Sequence, residues 1–111
     1  MRDTFYDPQA VFEALPNYFD PQAIGHLQAV IQFELNGDGG GQWYVSIANG
    51  ELKVNIGQAA NPNVTLSLAA QDYVAIVNGD LNPMQALMQG RVRVQGDAAL
   101  LMKLRSALAI D

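Results

Sequence analysis

His26 is the single histidine and the chain has no cysteine, so the residues that most often bind zinc or pair as nucleophile and base are nearly absent. No metal site and no cofactor are expected. A Ser-His-Asp relay would need His26 beside Ser46, Ser67 or Ser106, none of which stands in a G-x-S-x-G strand-to-helix turn. His26 therefore reads as a loop or strand-edge residue. Asp72 and Asp80 flank a helical pattern and Asp38 sits in a glycine loop, a spacing that does not pair carboxylates for acid–base work. The loop NGDGGGQW at 36–43 is glycine-rich like a phosphate cradle, but a tryptophan strand follows it where a P-loop needs Gly-Lys-Ser/Thr and a Rossmann turn needs a helix. It reads as a hairpin loop. Asn63-Val64-Thr65 matches a glycosylation sequon without a secretory leader to make it relevant. The residue types predict a protein that is not an enzyme.

The 111 residues are 50% hydrophobic and 15% charged, ordinary for one globular domain spanning 1–111. A net charge of −5 excludes an electrostatic nucleic-acid binder, which must neutralise phosphates. The charge is uneven. Residues 1–90 hold two basic against nine acidic side chains, while residues 91–111 hold Arg91, Arg93, Lys103 and Arg105 against Asp97 and Asp111. No unbroken hydrophobic run exceeds the five residues of Ala98 to Met102, far below the ~20 needed to span a bilayer. A soluble, cytoplasmic protein is expected.

Asp7-Pro8 supplies a cap and a proline at the first helical position, and Val11, Phe12 and Leu15 recur at helical spacing up to Pro16, which is expected to stop the helix. The tetrapeptide DPQA recurs at 20–23 and suggests another helical turn. From residue 27 the period becomes two: Leu27, Ala29, Ile31, Phe33 and Leu35 alternate with Gln28, Val30, Gln32 and Glu34. Trp43, Val45 and Ile47 follow with the same period. Asn49-Gly50 then closes a tight hairpin onto Leu52, Val54 and Ile56, because both turn residues tolerate positive φ. Val64, Leu66 and Leu68 make a fourth strand, and Val92 and Val94 a fifth.

Between those last two strands, residues 70–78 carry a helical pattern ended by Asn78-Gly79, and Asn82-Pro83 caps a short helix holding Met84, Leu87 and Met88 before Gly90. Gly96-Asp97 opens a C-terminal helix with Leu100, Leu101, Leu104, Ala107 and Leu108 in one stripe. Each strand is apolar on one face, which predicts a two-layer α+β sandwich with helices on one side of the sheet and water on the other. Met84, Met88 and Met102 suit either a surface that accepts variable apolar partners or simple core filling. Met102 and Ile110 lie off the stripe, flanked by the basic Lys103 and Arg105. The last helix reads either as a movable cover that touches ligand or membrane, or as a frayed terminus.

The order of these parts resembles the sterol carrier protein 2 (SCP2) family. The pieces that carry the likeness are WYVSIANGEL, NPNVTL, and NGDLNPMQALMQGRVRVQGD at 78–97, and it spans roughly residues 8–110. The resemblance implies a five-stranded mixed sheet with helices covering one face, enclosing an apolar cavity. It further implies non-catalytic binding or transfer of a hydrophobic ligand: a fatty acyl chain, an acyl-CoA, a sterol-like molecule or a polyprenyl lipid. Phe33, Trp43, Val45, Leu66, Met84, Leu87, Met88, Leu101, Leu104 and Leu108 would line the tunnel, and off-stripe Met102 would also meet the ligand. The sequence ends Ala109-Ile110-Asp111, without a Ser-Lys-Leu type of peroxisomal signal. The expected partners are a small hydrophobic ligand and, transiently, a membrane surface, with the chain a monomer or weak dimer. The competing reading is a protein interaction or dimerisation module that closes the same apolar groove with a partner's helix.

Overall fold

A computed structural model of the chain describes residues 5–18 and 27–103. The DPQA copy at 20–23, His26, Leu104, Ala107 and Leu108 of the expected C-terminal stripe, and off-stripe Ile110 lie outside the described residues. Helix α1 (Pro8–Tyr18) leads into strands β1 (Ala29–Asn36), β2 (Gly41–Ala48), β3 (Glu51–Ile56) and β4 (Val64–Ala69). Helices α2 (Ala70–Asn78) and α3 (Pro83–Met88), strand β5 (Val92–Gly96) and helix α4 (Ala98–Lys103) follow. The five strands order as β3-β2-β1-β4-β5. β1 runs parallel to β4 and every other neighbouring pair is antiparallel, so the sheet is mixed. Among the described residues no helix is long and apolar enough to cross a membrane.

Local chemistry places the elements as the sequence predicts. The Asp7 carboxylate accepts from the Ala10 N–H at 2.8 Å, filling an orphan donor of the first turn of α1. Asn82 does the same for α3, accepting from Met84 N–H at 2.8 Å and Gln85 N–H at 3.2 Å. Asp97 accepts from Leu100 N–H at 3.0 Å and so caps α4. Asn49 and Gly50 turn the β2–β3 hairpin with φ of 54° and 74°. Gly96 packs so closely on β4 that a Cβ there would collide with the Asn63 carbonyl.

Alternation then builds the core. Ile31, Phe33, Val45, Ile47, Val64, Leu66 and Leu68 are buried on the helix-facing side of the sheet, under Val11, Phe12 and Leu15 of α1 and Tyr73, Ile76 and Val77 of α2. The two helices are tied at one end by Asn78, whose side chain accepts from the Phe5 N–H at 2.8 Å and donates to the Phe5 carbonyl at 2.7 Å.

Two sequence expectations are corrected. Pro16 does not stop α1, which continues to Tyr18 with the proline inside. So near the helix end the ring forfeits only the bond its nitrogen would have made to the Phe12 carbonyl, and the burial of Phe12 and Leu15 outweighs it. The sheet face opposite the helices is also not wholly open to water. Gln32, expected outward and wet, is 3% exposed, because the segment after β3 folds back across that face. The Gln32 amide donates to the carbonyls of Trp43 at 3.2 Å and Gly57 at 3.0 Å and accepts from the Ala59 N–H at 2.7 Å. Asn63 completes the return by pairing with Val30 through backbone and side chain.

Gln32→Leu keeps the bulk but leaves the Gly57 carbonyl and Ala59 N–H without that partner. It is expected to lower urea-unfolding stability by about 1–3 kcal/mol. A change within about 0.5 kcal/mol would mean the segment is held by other contacts.

Candidate functional site

The strand order leaves β3 at an edge, with α1 crossing above it. Gln9, Phe12, Glu13 and Pro16 fall at i, i+3, i+4 and i+7 and share one side of α1. Facing them, Leu52, Val54 and Ile56 occupy alternate positions of β3, and Trp43 of β2 lies opposite Ile56 in register. Between the two runs is a groove of about 530 Å³, lined by these residues with Lys53 and Asn55. That volume is within the range of small-molecule sites. Its lining is chiefly apolar, with Glu13 accepting from the Gln9 side chain at 3.1 Å on the α1 side.

Ile56 stands 85% exposed, although its place in the alternation is on the helix-facing side. Leu52, at the other end of the strand, is buried. The inner wall is aromatic. Phe12 stacks on Trp43 at 4.9 Å with 20° between the rings and on Tyr73 at 5.3 Å with 19°. It meets Phe33 edge-on at 5.2 Å and 69°. Among the described residues no group of three or more His, Asp or Glu gathers to hold a metal.

The residues expected from the sequence to meet a ligand are dispersed. Trp43 lines the groove. Phe33, Val45 and Leu66 are in the core behind it. Met84, Leu87 and Met88 are exposed on α3, Met88 at 84%, while α3 buries only Ala86. Leu101 and Met102 belong to α4, with their side-chain surroundings outside what is described. Leu104 and Leu108 are outside the described residues altogether.

Residues 12–109 match the model of the SCP-2 sterol transfer family. The chain belongs to that family. The palmitated SCP2L2 of Aedes aegypti, solved in solution by NMR, is similar to this SCP-2 chain with a TM-score of 0.77 at 29% identity, over 93% of this chain and 95% of that one. The crystal structure of SCP2-L2 from the same mosquito gives 0.71 at 30% identity, over 86% and 91%. The sec-alkylsulfatase Pisa1 from Pseudomonas shares the fold, with a TM-score of 0.75 at 24% identity, but only over 16% of its length. Hydroxysteroid dehydrogenase-like protein 2 of Rattus norvegicus is 31% identical over 101 residues, which are 90% of this chain and 19% of that protein. An SCP-2 chain of this length thus spans about a fifth of such relatives.

Sequence reasoning missed Phe12, Leu52, Val54 and Ile56 as groove residues, because their spacing is that of any core-facing helix or strand. The available signal was strand order, which local periodicity does not encode. Ile56→Asn is expected to change unfolding stability by no more than about 0.5 kcal/mol, since its side chain is already in water. A loss above about 1 kcal/mol in denaturant titration would place Ile56 in the packed core instead.

Proposed function

We propose that residues 1–111 act as one non-catalytic, cytoplasmic module that binds and transfers a hydrophobic ligand with a long hydrocarbon part. Fatty acyl, acyl-CoA, sterol-like and polyprenyl lipids are the candidate classes. The observation that carries the reading is the apolar groove with Ile56 standing exposed at its rim. A hydrocarbon chain laid along Trp43, Leu52, Val54 and Ile56 leaves water at roughly 25 cal/mol per Å² of apolar surface. Few polar contacts are needed, so specificity by chain length or branching is loose. Membership of a sterol transfer family and likeness to a palmitated relative support the same class of ligand. In this reading Leu101, Met102, Leu104 and Leu108 extend the apolar surface from the C-terminal side.

The second reading, a protein interaction module, draws on a different place. Met84, Leu87 and Met88 expose an apolar side of α3, followed in sequence by Arg91, which is ion-paired with Asp72 at 2.7 Å, and by Arg93 of β5. A partner helix or a membrane surface would be the occupant, and the chain would be a weak dimer or part of a larger assembly.

Energy transfer from the single tryptophan, Trp43, to a dansyl-labelled fatty acid separates the two. The lipid reading expects saturable transfer at one probe per chain, and Ile56→Asp is expected to weaken it about tenfold or more. No transfer at micromolar probe, together with a dimer in sedimentation that Met88→Glu dissociates, would replace lipid binding by the interaction module.

A further inference from the structure

β3 lies at the rim of the sheet, bonded to β2 on one side only. The direction of its backbone groups follows from the hairpin. Ala48 and Glu51 flank the two-residue turn and so form a hydrogen-bonded pair, and further along the Gly57 N–H donates to the Gln42 carbonyl at 2.9 Å. The backbone groups of Glu51, Lys53, Asn55 and Gly57 therefore point toward β2, and those of Leu52, Val54 and Ile56 point away from it. Among the described residues no strand or loop bonds to that outer edge.

The groove lies along the same edge. A cavity on one face of a strand meets alternate residues, yet Leu52, Lys53, Val54, Asn55 and Ile56 all line this one. Its wall thus includes unpaired N–H and C=O groups, which a hydrocarbon cannot satisfy and an added strand can. We propose that this edge takes the β3 strand of a second copy of the chain, antiparallel about a two-fold axis at Val54, so that the two sheets become one.

The sequence of β3 selects both the occupant and the register. With the axis at Val54, Leu52 stands opposite the partner's Ile56, Val54 opposite the partner's Val54, and Lys53 opposite the partner's Asn55. Every outward N–H and C=O of Leu52, Val54 and Ile56 then finds a bond in a self-complementary interface. No charge directly faces its like. An axis at Lys53 would set two lysines opposite each other, which is destabilising. An axis at Leu52 would run Val54 against the partner's Gly50 in its turn, and one at Asn55 would leave Leu52 against the partner's Gln58, beyond the strand. Only the Val54 axis pairs all three apolar residues within β3. Ile56, 85% exposed in the single chain, comes beside the partner's Leu52. A lysine on an edge strand discourages indiscriminate pairing, but Lys53 is on the face away from the helices and meets an asparagine. The inference does not rest on the lipid-binding reading, and the apolar side of α3 has no part in it.

The chain has no cysteine, so one introduced thiol reports the register. Val54→Cys puts two thiols across the axis at the ~5.5 Å Cα spacing of a hydrogen-bonded pair, within disulfide reach. Under mild oxidation of lipid-free protein it is expected to give a covalent dimer at least about tenfold faster than Gln95→Cys, because pairing holds the thiols at high effective concentration. Gln95 is an exposed site on β5, the far edge of the sheet. Sedimentation of the parent is expected to show a concentration-dependent dimer, weak because one strand pair buries less than the ~1,600 Å² of a standard interface. Val54→Pro removes an N–H that β2 does not use, and is expected to keep the parent's circular dichroism and abolish the dimer. Should that variant fail to fold, the cross-linking rates and the parent's sedimentation decide. Equal oxidation rates, a parent that stays monomeric at millimolar concentration, or a dimer that survives Val54→Pro and is dissociated by Met88→Glu would each overturn the proposal. None of these measurements contains a lipid, so their failure leaves lipid binding standing.

Discussion

Phe12 is the contact on which the arrangement turns. Its ring touches Trp43, Phe33 and Tyr73, so one side chain of α1 joins two strands and α2. Aromatic pairs of this kind contribute about 0.5–1.5 kcal/mol each beyond the area they bury. Among the described residues the Asn78 side chain also holds the chain just before α1, and Val11 and Leu15 add apolar burial on either side. Where α1 lies decides how much of β3 it covers, and therefore whether a groove exists.

The groove is a by-product of sheet topology as much as of side-chain choice. With β1 in the middle, between its antiparallel partner β2 and its parallel partner β4, β3 is pushed to the rim. α1, a helix of eleven residues, walls one side of the groove at that rim, and Ile56 stays in water. The opposite face solves the reverse problem. There the return segment after β3 would strand buried backbone groups, and the Gln32 amide satisfies two carbonyls and one N–H in their place.

What was legible in the sequence was whatever depends on neighbours in the chain. The period-two runs, the Asn49-Gly50 turn, and the Asp7 and Asn82 caps each rest on a few consecutive residues, and each is found where those residues are. Family resemblance supplied the mixed sheet, since no local pattern says that β1 pairs with a strand more than thirty residues later. Gln32 was illegible for the same reason: its partners Gly57 and Ala59 are 25 and 27 residues away. Pro16 misled because its cost depends on its distance from the helix end, which burial of Leu15 and Phe12 decides. The candidate site was half legible. Trp43 stood out by type, whereas Phe12, Leu52, Val54 and Ile56 carry no local mark that separates a rim from a core.

The parallel pairing of β1 with β4, Ile31 opposite Val64, has a kinetic consequence. β1, β2 and β3 form a meander whose contacts close over short loops, while β4 must find β1 across the whole of that meander, a larger loss of chain entropy. The outer wall formed by β2 and β3 is thus assembled from local encounters. The wall that brings Tyr73 comes with the slower, long-range docking of β4 and α2. A nascent chain would therefore present Trp43, Leu52, Val54 and Ile56 to its surroundings before their backing arrives, and any amphiphile nearby would meet that apolar strip during folding itself.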